Sequence, residues 1–345
     1  MYIQPKLIKR SKSINRSRFG FLRLDKNERI SKFPKNFIKI LKKKINSNIF
    51  NIYPETFTFY KLLSKVHKLN KNYFIATAGI DLAIRNCIEI FGSKKILILE
   101  PTFAMVNVYC KIFRKNIIKV NYDKNLNLDL KKLYKHINKN ISLIIISNPN
   151  SPTGTILPLI EIRKILNKAK KYNINVVIDE AYYGFTPITS MPIINKYNNL
   201  IILRTFSKAY GLAGLRIGYL VANPKIIKFF FNNKPMYEVN SFAITVANIL
   251  LKNGKIKDKY IKEVEEGKKI LLQFFKKKKI FYYNSNTNFI IFKLNKRKNF
   301  FFQKLKKNKI IIVEKVNNKS LSQYSRITLG PKIEMRKFIK ILKKY

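Results

Sequence analysis

The stretch from Arg204 to Ala222, RTFSKAYGLAGLRIGYLVA, organises the reading of this chain. Lys208 follows a short apolar run, Leu200 to Leu203, and a serine, Ser207, directly precedes it. Gly211, Gly214 and Gly218 surround Arg216. A lysine that must bond covalently to a bulky planar partner needs a fixed position and room beside it. Small residues give that room, and a nearby Ser and Arg suit a phosphate. In a chain with 71 Lys and Arg residues a lone Ser-Lys pair carries no weight; the weight lies in the whole stretch.

Working outward, residues 57–235 alternate helical stretches (57–69, 80–91, 103–114, 159–171) with β-rich runs. The runs are Tyr73–Thr77, Ile96–Leu99, Ile117–Val120, Leu143–Ser147, Asn175–Asp179, Leu200–Leu203 and Ile217–Val221. Such alternation predicts an α/β layer fold with a mainly parallel sheet. The unusual residues follow the runs: Ala78-Gly79-Ile80-Asp81, Glu100-Pro101-Thr102-Phe103, Asn148 to Gly154, Asp179-Glu180-Ala181-Tyr182 and Phe206-Ser207-Lys208. Ligands of open parallel sheets bind outside the carboxyl ends of the strands, and special turns at several such ends are what one ligand site leaves in a sequence. After 235, helical patterns at 239–252, 257–278 and 332–344 surround the β-like runs Phe281–Tyr283, Phe289–Leu294, Ile310–Val313 and Tyr324–Leu329. That pattern predicts a smaller α+β domain. The division expected is a large domain over 48–235, with 1–47 and 236–345 forming the small domain and an N-terminal arm. Pro34 opens a further helical pattern to about Ile45.

The Arg204–Ala222 segment resembles the cofactor-lysine segment of fold-type-I pyridoxal-phosphate enzymes, in particular the histidinol-phosphate aminotransferases. The likeness extends in order along essentially the whole chain, including Asn27-Glu28 and Tyr53-Pro54 near its start. It implies the fold-type-I transferase fold and pyridoxal 5'-phosphate as cofactor. By it, Lys208 bonds the cofactor, Asp179 faces the ring nitrogen and Tyr182 reaches the phenolic oxygen, with Tyr183 as the neighbour that could be mistaken for it. Phe103 lies on the ring. The phosphate falls to Gly79, Ile80, Asp81, Ser207 and Arg216, and to a tyrosine from a partner subunit, Tyr53. Arg326, in Arg326-Ile327-Thr328-Leu329-Gly330, grips the substrate carboxylate. Asn27 and Tyr237 are assigned to the substrate.

The physical chemistry agrees with several of these roles. An acid ending the apolar run Val176-Val177-Ile178 is expensive unless paired, and a carboxylate beside a ring nitrogen keeps that nitrogen protonated. Backbone N–H groups at a helix start cradle anions, whereas an acid such as Asp81 there also favours its own helix. A guanidinium binds both oxygens of a carboxylate and keeps its charge. The chain departs from the family's commonest form where an asparagine precedes Pro-Thr-Gly: that place holds Ser151. In the family that asparagine donates to the cofactor's phenolic oxygen; here the Ser151 hydroxyl could replace it with a shorter reach, or Asn148 or Asn150 could turn in.

Composition bounds the rest. The chain has 345 residues, 46% hydrophobic and 26% charged, enough for a large core and two lobes. The apolar runs are too short to span a bilayer, and Met1 to Arg10 lacks a secretory h-region, so a cytoplasmic protein is expected. Cys87 and Cys110 sit in apolar segments and read as buried thiols; no Cys/His spacing suggests a metal. His67 and His136, among lysines, read as solvated surface residues. The formal charge of +53 is spread along the whole length, which argues against a specific nucleic-acid module and suits attraction of phosphorylated metabolites.

The expectation is therefore an aminotransferase moving an amino group between glutamate/2-oxoglutarate and a phosphorylated amino compound, histidinol phosphate first. A decarboxylase of a phosphorylated amino acid, of the phosphoserine or phosphothreonine type, is the alternative. A homodimer is implied by the resemblance.

Overall fold

The computed structural model describes residues 17–294 and 298–343; the first part of the expected N-terminal arm, residues 1–16, and the end of the last helical pattern lie outside them. Among the described residues eleven strands are formed: β1 (Leu22–Leu24), β2 (Phe74–Thr77), β3 (Lys95–Glu100), β4 (Ile117–Asn121), β5 (Ile141–Ser147), β6 (Asn175–Asp179), β7 (Leu200–Thr205), β8 (Gly218–Ala222), β9 (Phe289–Phe292), β10 (Ile310–Ile312) and β11 (Ser325–Thr328). Seven of them build the central sheet in the order β2-β8-β7-β6-β5-β3-β4. β7, β6, β5, β3 and β4 pair in parallel, while β8 runs antiparallel to both its neighbours, β2 and β7.

The near-continuous apolar runs of β5, β6 and β7 are what a sheet covered on both faces requires. Successive side chains point to opposite faces. Leu97, Leu99, Ile144, Ile146, Val176, Ile178, Leu200 and Ile202 enter the core on one side. Ile96, Ile98, Leu143, Ile145, Val177, Ile201 and Leu203 enter the core on the other. Because β8 returns antiparallel to β7, the segment between them that carries Lys208 is held at the carboxyl end of β7. Gly218 pairs with both Thr77 and Thr205, which draws the ends of β2 and β7 together around the start of β8.

The smaller unit pairs β1 with β10 in parallel and β9 with β11 antiparallel, and a bridge between Val313 and Arg326 joins the two pairs. Helices Lys255–Lys277 and Lys332–Leu342 pack over it, burying Tyr260, Leu271, Phe275, Met335 and Phe338 with Phe292 and Ile327. Helix Ser241–Lys252, capped by the Asn240 side chain on the Ala243 N–H at 2.7 Å, was grouped with the small domain from sequence. Its Ala243, Ile244, Val246, Ala247 and Leu250 instead share the large core with Phe59 and Leu63, and Phe37 of helix Lys35–Lys44 joins them. Helix Lys298–Lys307 and strand β1 were not anticipated; Phe281–Tyr283 forms only an isolated bridge, at Tyr282.

Candidate active site

Lys208 lies just past the end of β7, and its Nζ donates to the carbonyls of Lys26 at 3.0 Å and Asn27 at 3.2 Å. Burial pushes its amine down to about 8; the positive charges of Arg326 and Arg216 act in the same direction, and Glu28 and Asp179 oppose them. An amine in that range is available as a nucleophile and a proton carrier near neutral pH.

Asp179 ends β6, is 4% exposed, and pairs in register with Ser147 on β5. Its carboxylate accepts from the Ala181 N–H at 2.9 Å and from the Ser147 hydroxyl at 3.3 Å. These neutral donors do not offset burial, which pushes the carboxyl up to about 6 with Glu180 adding to the rise. The positive charge of Lys208 acts against the rise without cancelling it. The two neighbouring tyrosines have different places. The Tyr182 hydroxyl accepts from the Asn27 side-chain amide at 2.8 Å, and its ring meets Phe289 edge-on. Tyr183 lies under Arg204, whose guanidinium carbon is 3.4 Å from its ring centroid.

Arg216, Ser207 and Gly79 converge. Arg216 Nη1 donates to Ser207 Oγ at 3.4 Å, and a Cβ built on Gly79 would lie 2.8 Å from Arg216 Nη2. Gly79 has φ +76, which a side chain would strain as well as crowd. It directly precedes helix Ile80–Phe91, whose first N–H groups and dipole favour an anion. Asp81 stands in that helix's first turn, where an acid suits the helix itself. Phe103, half-buried, precedes helix Ala104–Ile112 and packs against the core on the same face as Ile80.

Arg326 on β11 donates to the Asp25 carbonyl at 2.7 Å, and its guanidinium carbon is 5.5 Å from the Phe289 ring centroid. Its Nε is buried without a hydrogen-bond partner. Burial pushes its pKa down, against the influence of Tyr182 and Asp25. Of the three candidates for the missing loop donor, Asn148 binds Leu157 through both its atoms, at 2.9 and 2.8 Å. Asn150 donates to Pro101 O at 2.9 Å and to Thr153 Oγ1 at 2.8 Å. Both therefore hold the loop, and Ser151 is the remaining candidate; burial pushes the Tyr182 phenol's pKa up, and the Ser151 side chain acts against that rise. Tyr237 and Tyr53 stack on each other with centroids 4.2 Å apart and stand 50% and 71% exposed, so Tyr237 does not enter the buried group around Lys208.

Sequence reasoning missed a buried network behind these residues. Arg204 and Glu180, each 2% exposed, pair at 2.9 Å, one beside Asp179 and the other at the end of β7. The signal was present as charges at the ends of apolar runs. His67 is a correction: it is no solvated residue. Its Nε2 is 2.9 Å from the Tyr219 hydroxyl, and burial, with the charges of Arg204 and Lys257, pushes it down to about 3. Cys87 and Cys110 are buried and free. Among the described residues no His/Cys/Asp/Glu group could hold a metal, and no helix is long and apolar enough to cross a membrane.

A lysine with a depressed pKa, a buried carboxylate and an anion cradle follow the carboxyl ends of β7, β6 and β2, a set that suits a phosphorylated, nitrogen-bearing planar cofactor. The family model for aminotransferase class I and II matches residues 24–342, and the chain belongs to that family. It is 33% identical to the histidinol-phosphate aminotransferase of Pyrococcus furiosus over 93% of this chain and 91% of that one. It is 35% identical to that of Thermoanaerobacter pseudethanolicus over 79% of this chain and 78% of that one. The crystal structure of a putative histidinol-phosphate aminotransferase from Erwinia carotovora superposes with a TM-score of 0.85 at 24% identity, covering 95% and 98% of the two chains. The enzyme is a pyridoxal-phosphate-dependent aminotransferase, and the residues present fit that cofactor: Gly79 leaves open the space beside Arg216 that a Cβ would fill.

Proposed function

We propose that this enzyme moves an amino group between the glutamate/2-oxoglutarate pair and a phosphorylated amino compound, with histidinol phosphate as the leading substrate. The observation that carries this reading is the Lys208 amine, pushed down to about 8, in the same buried group as Asp179, Tyr182 and Arg326. When bound, pyridoxal phosphate supplies a ring that accepts electrons from a bond broken at the substrate's α-carbon. Asp179 holds a proton at the ring nitrogen. Tyr182 donates to the phenolic oxygen. Gly79, Ile80, Ser207 and Arg216 hold the phosphate through backbone N–H groups, a hydroxyl and a guanidinium. Lys208 would hold the cofactor through its amine, and that amine, whose pKa is pushed down to about 8, would carry the proton at the substrate's α-carbon. Arg326 pairs with a substrate carboxylate, the role its buried position and charge suit.

The substrate assignment rests on the names of the relatives, and a surface of net charge +53 favours approach of a phosphorylated anion. No observation favours the decarboxylase alternative. The proposal extends to a homodimer: Phe50, Ile52, Tyr53, Phe57, Met236 and Tyr237 are all half or more exposed, a large apolar set for a lone chain. Cytoplasmic residence is part of the same proposal. The test is direct: purified protein with histidinol phosphate and 2-oxoglutarate should form glutamate. Glutamate formed only with other amino compounds would overturn the substrate assignment.

A further inference from the structure

We infer that Asn27 is a positioning residue that supplies, from the segment just after β1, an amide donor to the Tyr182 hydroxyl, in a site whose loop has Ser151 where an amide is expected. The inference rests on the cofactor reading above, because it concerns the hydroxyl of Tyr182 and the amine of Lys208.

Asn27 is 3% exposed, and each of its polar groups is engaged. Its backbone N–H donates to Thr328 Oγ1 at 2.9 Å, and its Oδ1 accepts from the same hydroxyl at 3.1 Å. Its carbonyl accepts from Lys208 Nζ at 3.2 Å and from the Asn288 amide at 3.1 Å. Its Nδ2 donates to the Tyr182 hydroxyl at 2.8 Å. One residue thus seats the amine of Lys208 and the phenol of Tyr182 together. It does so with φ 56, a left-handed conformation that asparagine tolerates better than most side chains.

The donor matters because of where it points. A phenol oxygen that accepts a hydrogen bond becomes a better donor through its own proton, since hydrogen bonds in a chain polarise one another. The Asn148 and Asn150 amides are committed to the loop, and Ser151 offers Tyr182 a hydroxyl. The amide that reaches Tyr182 therefore comes from Asn27, more than a hundred residues away in sequence. Of the two N–H donors on the Asn27 amide, one is committed to Tyr182.

The effect reads out in the absorbance of the bound cofactor against pH. Donors near the cofactor's phenolic oxygen stabilise its negative charge and so reduce the need for a proton at the lysine–cofactor linkage. Removing a donor raises the pH at which that proton is lost. The charged groups facing the amine are Arg326, Glu28, Arg216 and Asp179; Asn27→Gly alters none of them, whereas Asn27→Asp adds a carboxylate beside the amine, so the midpoint of Asn27→Gly isolates the lost donor. Asn27→Asp keeps the left-handed backbone and the acceptor for Thr328 but replaces the donor to Tyr182 with an acceptor. Asn27→Gly keeps the backbone and removes the side chain. Both are measured as cofactor-loaded protein, alongside wild type and the double variant Asn27→Gly/Ser151→Asn, which returns an amide to the loop.

The expected result is a rise in the absorbance midpoint of about one pH unit in both single variants, the size of a lost charge-assisted hydrogen bond, with kcat falling about tenfold. The double variant should move the midpoint back towards wild type. An unchanged midpoint in folded, cofactor-loaded Asn27→Asp and Asn27→Gly would overturn the inference and leave Asn27 as an anchor of its segment. Failure of wild type itself to show a cofactor band after addition of pyridoxal phosphate would overturn the cofactor reading instead.

Discussion

Glu180 and Arg204 hold together the two strand ends that carry Asp179 and Lys208, and cutting that tie should destabilise the protein severely. Arg204 Nε and Nη2 donate to Glu180 Oε2 at 3.1 and 2.9 Å. The carboxylate also accepts from the Ser190 N–H at 2.5 Å and from the Thr189 hydroxyl at 3.1 and 2.8 Å. Both charges are 2% exposed, so water cannot substitute for either partner. Burial alone would push the Arg204 guanidinium down, yet Tyr219 and Glu180 hold it above its ordinary value. Glu180→Gln leaves a buried guanidinium with neutral acceptors, Thr189 Oγ1 among them, and the Tyr183 ring, and Arg204→Met leaves a buried carboxylate with neutral donors. Each should cost about 3–5 kcal/mol, because an uncompensated buried charge remains. The double variant Glu180→Gln/Arg204→Met removes both charges and should cost less than the sum of the single losses, by a coupling of about 3 kcal/mol. The chain has no tryptophan, so unfolding in urea is followed by circular dichroism. At a slope of about 3 kcal/mol per molar, each single variant moves the midpoint down by about 1 M or more. Losses in the double variant equal to the sum of the single losses would refute the reasoning.

The remaining predictions address the site and its surroundings. Asp179 has a folded-state value raised from 3.8 to about 6, so its charged form costs the folded protein stability above pH 6, a cost that fades as pH falls from 6 towards 3.8. Asp179→Asn should therefore stabilise the cofactor-free protein at pH 7 by about 2–3 kcal/mol, with no gain at pH 3.8, while transamination is lost; thermal unfolding across that range checks the sign. Gly79→Ala, which must displace the Arg216 guanidinium and strain a backbone at φ +76, should weaken cofactor binding about tenfold or more, as should Arg216→Met; both are read by titration of the cofactor-free protein. Tyr53→Ala should weaken cofactor retention and shift sedimentation towards monomer, and unchanged values of both would remove Tyr53 from the proposed interface.

Legibility followed sequence distance. The apolar runs of the central sheet and the special residues after them are local signals, so the ends of β2, β5, β6 and β7 could be found from the chain alone. Tyr182 and Tyr183 differ only in partners that lie elsewhere, Asn27 for one and Arg204 for the other. No local pattern separates them. The double engagement of Asn27 joins residues brought together only by folding: sequence suggested a substrate contact, and the structure shows bonds to Tyr182 and Lys208. His67 sits between Val66 and Lys68, and its burial against Tyr219 and Phe74 is set by helix packing on the sheet edge. Strand β1 is three residues long and finds its partner near the other end of the chain, at β10. Helix Lys298–Lys307 buries Phe301, Phe302 and Leu305 within a run of aromatics that lacks a clear helical spacing.

Borohydride trapping of the cofactor-loaded protein, with and without prior excess glutamate, tests most directly whether Lys208 is the lysine of a transaminase. Reduction fixes the lysine–cofactor bond, and peptide mass mapping locates it. The expected result is a pyridoxyl adduct on the peptide containing Lys208 that is lost when glutamate is added first, because the amino donor carries the cofactor into its amine form. An adduct on another lysine, or one on Lys208 that glutamate leaves untouched, would contradict a glutamate-dependent transaminase built on this residue.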